Sequence, residues 1–234
     1  GGAMHIIGDN TLVDTCTFDD CTAMYGGAIY VSGDSAIINN SIFTNGNAIE
    51  DAGAIYIDGD DCKVYNSTFI DNTVGDDGGA IYADSSCPNI IGCIFTKNTV
   101  MRYGGAIYLN SRNNVVDWCV FDSNSADYDG GAIYVEARYN TIKNSTFVNN
   151  KAKGEGGAVY INGRYAKIHL SNFFTNTAKK GYDIYCDSSS CELYGSIILG
   201  NTPKNAVYSS KSFSVAKNWW GNVESNRNVK PDVN

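Results

Sequence analysis

Tyrosine recurs at Tyr30, Tyr56, Tyr82, Tyr108, Tyr134, Tyr160, Tyr185 and Tyr208, in steps of 26, 26, 26, 26, 26, 25 and 23 residues. Each closes the pentapeptide Gly-Gly-Ala-Ile-Tyr or a variant of it. A chain that turns once per period brings such residues into a row. A row of phenols can offer ring area and hydroxyls to sugar rings, or its rings can simply stack on one another and shield the backbone. Four residues past the tyrosines the row reads Asp34, Asp60, Ser86, Arg112, Arg138, Arg164 and Ser189. Three arginines at about 5 Å repel one another unless something anionic lies across them. Glu136 is a candidate countercharge within the chain; otherwise the side chains splay into solvent. Uronate, sulfate or phosphate groups suit such a row, because guanidinium grips them bidentately. The candidate ligand-binding residues are therefore Tyr82, Tyr108, Tyr134 and Tyr160 with Arg112, Arg138 and Arg164.

The turn before each pentapeptide carries Glu50, Asp51, Asp76, Asp77, Asp127, Asp129 and Glu155, interrupted by Arg102. Stacked carboxylates there suit calcium binding or acid–base cleavage of a polysaccharide, or are a solvated turn. His5 and His169 lie far apart, no nucleophile triad is readable, and the paired glycines belong to the repeat rather than to a phosphate loop. Eight cysteines carry no zinc-type spacing. Cys93 and Cys119 share one inward slot, where strand spacing of about 4.8 Å exceeds the β-carbon separation a disulfide prefers. Buried stacked thiols are expected there. Cys62 with Cys87, one residue out of register, and Cys186 with Cys191, across a short turn, are candidate disulfides. No cofactor is implied.

These residues need a scaffold that repeats every 26 residues. Phenylalanine recurs at Phe18, Phe43, Phe69, Phe95, Phe121, Phe147 and Phe173, with Ile198 next in the slot. Three residues later stands asparagine, at Asn72, Asn98, Asn124, Asn150, Asn176 and Asn201. An aliphatic precedes each phenylalanine by five residues, and a serine or cysteine by two. Each tyrosine is preceded by Ile or Val and mostly followed by an apolar residue. Alternation sends those neighbours inward and the tyrosines outward. Short β-rich runs separated by Gly, Asn, Asp and Ser at this period predict an all-β right-handed parallel β-helix. It has about nine coils of roughly 26 residues with three short strands each, over 1–222, followed by a polar tail at 223–234. Stacked asparagines then satisfy turn backbone along the axis. Trp219 and Trp220 fit a C-terminal cap.

The Gly-Gly-Ala-Ile-Tyr segments, Asn66-Ser67-Thr68-Phe69, Asn144-Ser145-Thr146-Phe147 and Asn218-Trp219-Trp220-Gly221-Asn222 resemble repeats of the adhesin-like surface proteins of methanogenic archaea. More distantly they are similar to polymorphic outer-membrane protein repeats. The resemblance covers most of residues 20–222 and implies a cell-surface location and a role in attachment. It brings no catalytic residues with it.

With 17 basic and 25 acidic residues the net charge is −8, which opposes nucleic acid or an anionic membrane as partner. No apolar run approaches the ~18 residues of a membrane span, no leader is visible, and the chain reads as a segment of a longer protein. Uniform repeats leave no room for the long loops that wall a cleft. The expected function is a monomeric, non-enzymatic adhesin segment at the cell surface. Its partner would be a cell-surface glycan or a surface protein of another cell. A polysaccharide lyase or hydrolase and a passive spacer are the alternatives.

Overall fold

The computed structural model describes residues 1–221; the tail assigned to 223–234 lies outside the described residues. The period is one turn of a parallel β-solenoid of about eight turns. Among the described residues the strands form four parallel sheets, not three per coil as the sequence suggests. A nine-stranded sheet from Met4–Ile6 to Val207–Ser209 carries the tyrosines. A second nine-stranded sheet, from Leu12–Asp14 to Phe213–Ala216, carries the aliphatic row. The eight-stranded third, from Thr17–Asp19 to Ile197–Leu199, carries the phenylalanines. The fourth has six two-residue strands from Thr22–Ala23 to Lys151–Ala152, too short for alternation to show in a sequence.

Register is residue on residue: Tyr82 pairs with Tyr108, Phe69 with Phe95, and Val64 with Ile90. The first coil places His5 in the tyrosine slot, opposite Tyr30. Ile29, Ile55, Ile81, Ile107 and Ile133 are fully buried. The phenylalanines from Phe18 to Phe173 stack at 4.7–4.9 Å between ring centroids and within 6° of parallel. The paired glycines have separate reasons. The first, as in Gly104 and Gly130, takes φ near +70°, where a β-carbon is strained. The second, as in Gly105, lies so close to the next coil that an added β-carbon would sit 2.0 Å from the Gly131 carbonyl oxygen.

Two polar ladders run through the buried turns. Asn72, Asn98, Asn124, Asn150 and Asn176 are fully buried. Each Nδ2 from Asn72 to Asn150 donates to the next Oδ1 at 2.9–3.0 Å. That same Oδ1 accepts the backbone N–H of the preceding coil at 2.9–3.1 Å. Serine hydroxyls do the same at the next corner: Ser67 Oγ accepts the Ser41 N–H at 3.1 Å and donates to the Tyr65 carbonyl at 2.7 Å. Asn218 ends this ladder by accepting the Ser196 N–H at 2.8 Å. Trp220 packs against the core, whereas Trp219 bridges to Ile197 with half its surface exposed. Only one of the two tryptophans therefore covers core. Among the described residues no helix is long and apolar enough to cross a membrane.

Candidate functional site

The tyrosine row forms as the spacing predicts, but its geometry changes what it can bind. From Tyr30 to Tyr208 the rings stack at 4.9–5.2 Å between centroids and within 14° of parallel. Coil spacing is close to ring-stacking distance, so each face meets the next tyrosine. Tyr108, Tyr134 and Tyr160 keep only 8% of their surface exposed. Their faces are unavailable to a sugar ring; what remains open is ring edges and hydroxyls.

Carboxylates wall this row on both sides. On the side of the preceding turn, Asp51 and Asp77 each accept the next coil's backbone N–H through Oδ1, from Asp77 at 3.2 Å and Tyr103 at 3.1 Å, and Asp129 accepts that of Glu155 at 2.7 Å. On the other side Tyr30 donates to Asp58 at 3.2 Å and Tyr56 to Asp84 at 3.0 Å. Burial, and next the neighbouring Asp77, push Asp51 up to about 7. Burial raises Asp77 to about 6 against the pull of Arg102. The carboxylates of Asp51, Asp76 and Asp77 come within 4.8 Å of one another. Arg102 supplies a countercharge there, with Nη1 2.7 Å from Asp76.

Arg112 and Arg138, but not Arg164, border a depression of about 480 Å³ that Ser86, Asn110, Ser111, Ala137 and Tyr139 also line. Arg112, Arg138 and Arg164 are all exposed, and among the described residues none forms an ion pair. Glu136 does not compensate them; its carboxylate accepts both bonds from Asn162 Nδ2, at 3.0 and 3.2 Å. Sequence reasoning missed the pair beside them. Tyr139 and Tyr165 stack at 5.0 Å, 49% and 42% exposed. Both sit at φ near +60°, where a bulky residue is uncommon. The only signal was that each follows an arginine of the row.

All eight cysteines are free thiols. Cys62 turns into the core and its Sγ donates to the Gly33 carbonyl at 3.5 Å. Cys87 sits at a left-handed corner, φ 67°, and register puts Cys62 beside Pro88 instead, since Lys63 pairs with Asn89. The expected Cys62–Cys87 bridge therefore does not form. Cys93 and Cys119 are the stacked buried thiols expected, and burial, then contact with Cys93, raises the Cys119 thiol. Cys186 and Cys191 are unbridged and buried, their Sγ atoms donating to the Ser188 and Gly163 carbonyls; each acts on the other, which lowers the Cys186 thiol and raises that of Cys191. A small disulfide reagent is expected to close this pair by exchange, its own disulfide taking the two electrons and two protons. Peptide mapping should find Cys186–Cys191 and no Cys62–Cys87; a persistent free Cys186 would refute the expectation.

Uniform coils, ladders along the axis and side-chain rows on the outer faces define a right-handed parallel β-helix of the solenoid class. A family model described as a right-handed beta helix region matches residues 1–117 and 80–229, and the chain belongs to that family. No curated protein and no solved structure matches the chain. The fold fits a surface-binding or structural role.

Proposed function

We propose that the chain is a non-catalytic segment of a cell-surface adhesin that holds an anionic glycan along one edge of the rod. The carrying observation is the row Arg112, Arg138 and Arg164, exposed and without ion pairs among the described residues. Leaving three cations at coil spacing gives nothing back to the fold, since they repel. A polymer with a uronate or sulfate on successive units relieves that repulsion and gains charge-assisted hydrogen bonds. Tyr139 and Tyr165 flank the row with exposed ring area for the sugar backbone, and the depression beside Arg112 and Arg138 gives one unit a seat. In this arrangement Tyr82, Tyr108, Tyr134 and Tyr160 contribute as the rigid floor of the adjoining sheet rather than as stacking platforms.

The test is a glycan array with acidic and neutral oligosaccharides, run beside a reducing-end assay. Binding of acidic glycans without cleavage supports the proposal. Each Arg→Ala change should weaken binding about tenfold, the loss of one hydrogen-bonded charge contact. Unchanged affinity in the triple variant would sink it.

Cleavage has one observation in its favour: Asp51, held near 7 beside Asp77, is a carboxyl able to donate a proton at neutral pH. The backbone bonds that Asp51 and Asp77 accept describe a turn cap equally well. New reducing ends that disappear in Asp51→Asn would establish the enzyme reading.

A further inference from the structure

The edge that carries the arginines continues toward the N-terminus with the opposite charge. Strand register sets His5, Tyr30, Tyr56, Tyr82, Tyr108, Tyr134 and Tyr160 one above another. The residues four further on therefore form one line: Asp9, Asp34, Asp60, Ser86, Arg112, Arg138 and Arg164. Three anions, one neutral residue and three cations stand on successive coils. All six charged residues are exposed, and among the described residues none is in an ion pair. The aspartates are held in place, since Oδ1 of Asp9, Asp34 and Asp60 accepts the N–H of Asp34, Asp60 and Ser86 at 2.8–2.9 Å. Like charges one coil apart repel in each half. Ten acidic residues and no lysine or arginine precede Lys63, so the first coils hold no cation that relieves them.

Turned end for end about Ser86, this line is its own complement. Asp9 then faces Arg164, Asp34 faces Arg138 and Asp60 faces Arg112. A two-fold interface requires that property, because residue i meets j and j meets i. Side-chain size follows the same register. Tyr139 and Tyr165, each one residue past an arginine of the line, are exposed; opposite them fall the smaller Ser35 and Asn10, each one past an aspartate. Ile7 and Leu12, both exposed, flank Asn10 and offer Tyr165 apolar surface. The rod is straight enough for such a contact, since the adjoining tyrosine rings stay within 8° of parallel from Tyr30 to Tyr185. Six coil steps make the line about 30 Å long.

We propose that two copies of the chain pair antiparallel along this edge, about a two-fold axis at Ser86, with Asp9, Asp34 and Asp60 of each copy on Arg164, Arg138 and Arg112 of the other. A second copy fits because it supplies three cations and three anions at coil spacing in the inverted order. A polyanion meets only the arginine half and leaves the aspartates unrelieved. Exposed ion pairs contribute little singly and are screened by salt, so the dimer is reversible and forms at low salt. The monomer expected from the sequence is then the high-salt form. The pairing does not rest on the glycan reading, but it draws on the same arginines, so the edge holds either a second copy or an acidic glycan.

Sedimentation over a range of protein concentrations at low salt should show a monomer–dimer equilibrium that moves to monomer as salt is raised. Asp9→Asn, Asp34→Asn and Asp60→Asn together should weaken it about tenfold or more, the combined loss of six exposed pairs, while the amide oxygens still accept the three N–H groups. Asp14→Asn with Asp19→Asn, on the second and third sheets, should change it less than about twofold. A short bis-maleimide reads the register. The Ser86→Cys variant should cross-link to its own counterpart, whereas Ser189→Cys, about 40 Å from its counterpart in this pairing, should not. A monomer at every concentration, growth beyond the dimer, an equal loss in the remote pair, or cross-linking of Ser189→Cys but not Ser86→Cys would each overturn the proposal. The triple asparagine variant keeps every arginine, so glycan binding and pairing fail or hold separately.

Discussion

Asn124→Ala is expected to destabilise the rod by about 3–5 kcal/mol, read as a fall in the urea midpoint followed by circular dichroism. Asn124 is fully buried and meets four groups: Oδ1 accepts the Asn98 N–H at 3.0 Å and Asn98 Nδ2 at 2.9 Å, while Nδ2 donates to the Phe95 carbonyl and to Asn150 Oδ1. Alanine orphans the Asn98 N–H where water does not reach, at about 1–3 kcal/mol, takes from the Phe95 carbonyl the second of its two bonds, at about 1 kcal/mol, and leaves a small void. Asn150 Oδ1 keeps the backbone N–H of residue 124, and Asn98 Nδ2 keeps the Phe69 carbonyl at 3.0 Å. The loss is therefore one orphaned N–H, one hydrogen bond and the void. Because each coil contacts only its neighbours, hydrogen exchange should accelerate in the coils around residues 98 and 124 first. A loss under about 1 kcal/mol would mean the ladder does not hold the turns.

The C-terminal coils should be more stable at pH 4 than at pH 7, through Asp183. This residue takes the buried slot that alanine holds in the other coils. Its carboxylate closes the asparagine ladder, accepting from Asn176 Nδ2 at 2.8 Å and Asn201 Nδ2 at 3.0 Å. Burial outweighs these bonds and raises it from 3.8 to about 6. With the folded value above the unfolded one, its stabilising contribution is complete below about 4, declines between the two values and is gone above about 6. Two units correspond to about 3 kcal/mol. Asp51 and Asp77, also raised, tilt the profile the same way, so the decisive quantity is the difference from Asp183→Asn. That difference should change by about 3 kcal/mol between pH 4 and 7, measured by hydrogen exchange at Ile184 and Tyr185. A constant difference across this range would refute the assignment.

Asp183 shows how much could be read in advance and where reading stops. The period, the inward isoleucines, the phenylalanine stack and the asparagine ladder were legible, because in a parallel solenoid one register repeats and equal residues meet equal residues. Asp183 stands out only as a substitution in the alanine slot; that it ends a ladder depends on Asn176 and Asn201 reaching it from two coils. The arginine row was legible for the same reason as the core, by spacing alone. Tyr139 and Tyr165 were not, since each takes a left-handed corner that residue type argues against.

By itself, then, the sequence determined the solenoid, its coil period and which residues form rows, since all three follow from periodicity and strand alternation. The tertiary structure decided what each row can do. It put the tyrosine faces against one another because coil spacing is close to ring-stacking distance. It added a fourth sheet too short to alternate, turned Cys62 away from Cys87, and walled the open hydroxyls with carboxylates. Those outcomes depend on distances across coils, which spacing along the chain does not contain.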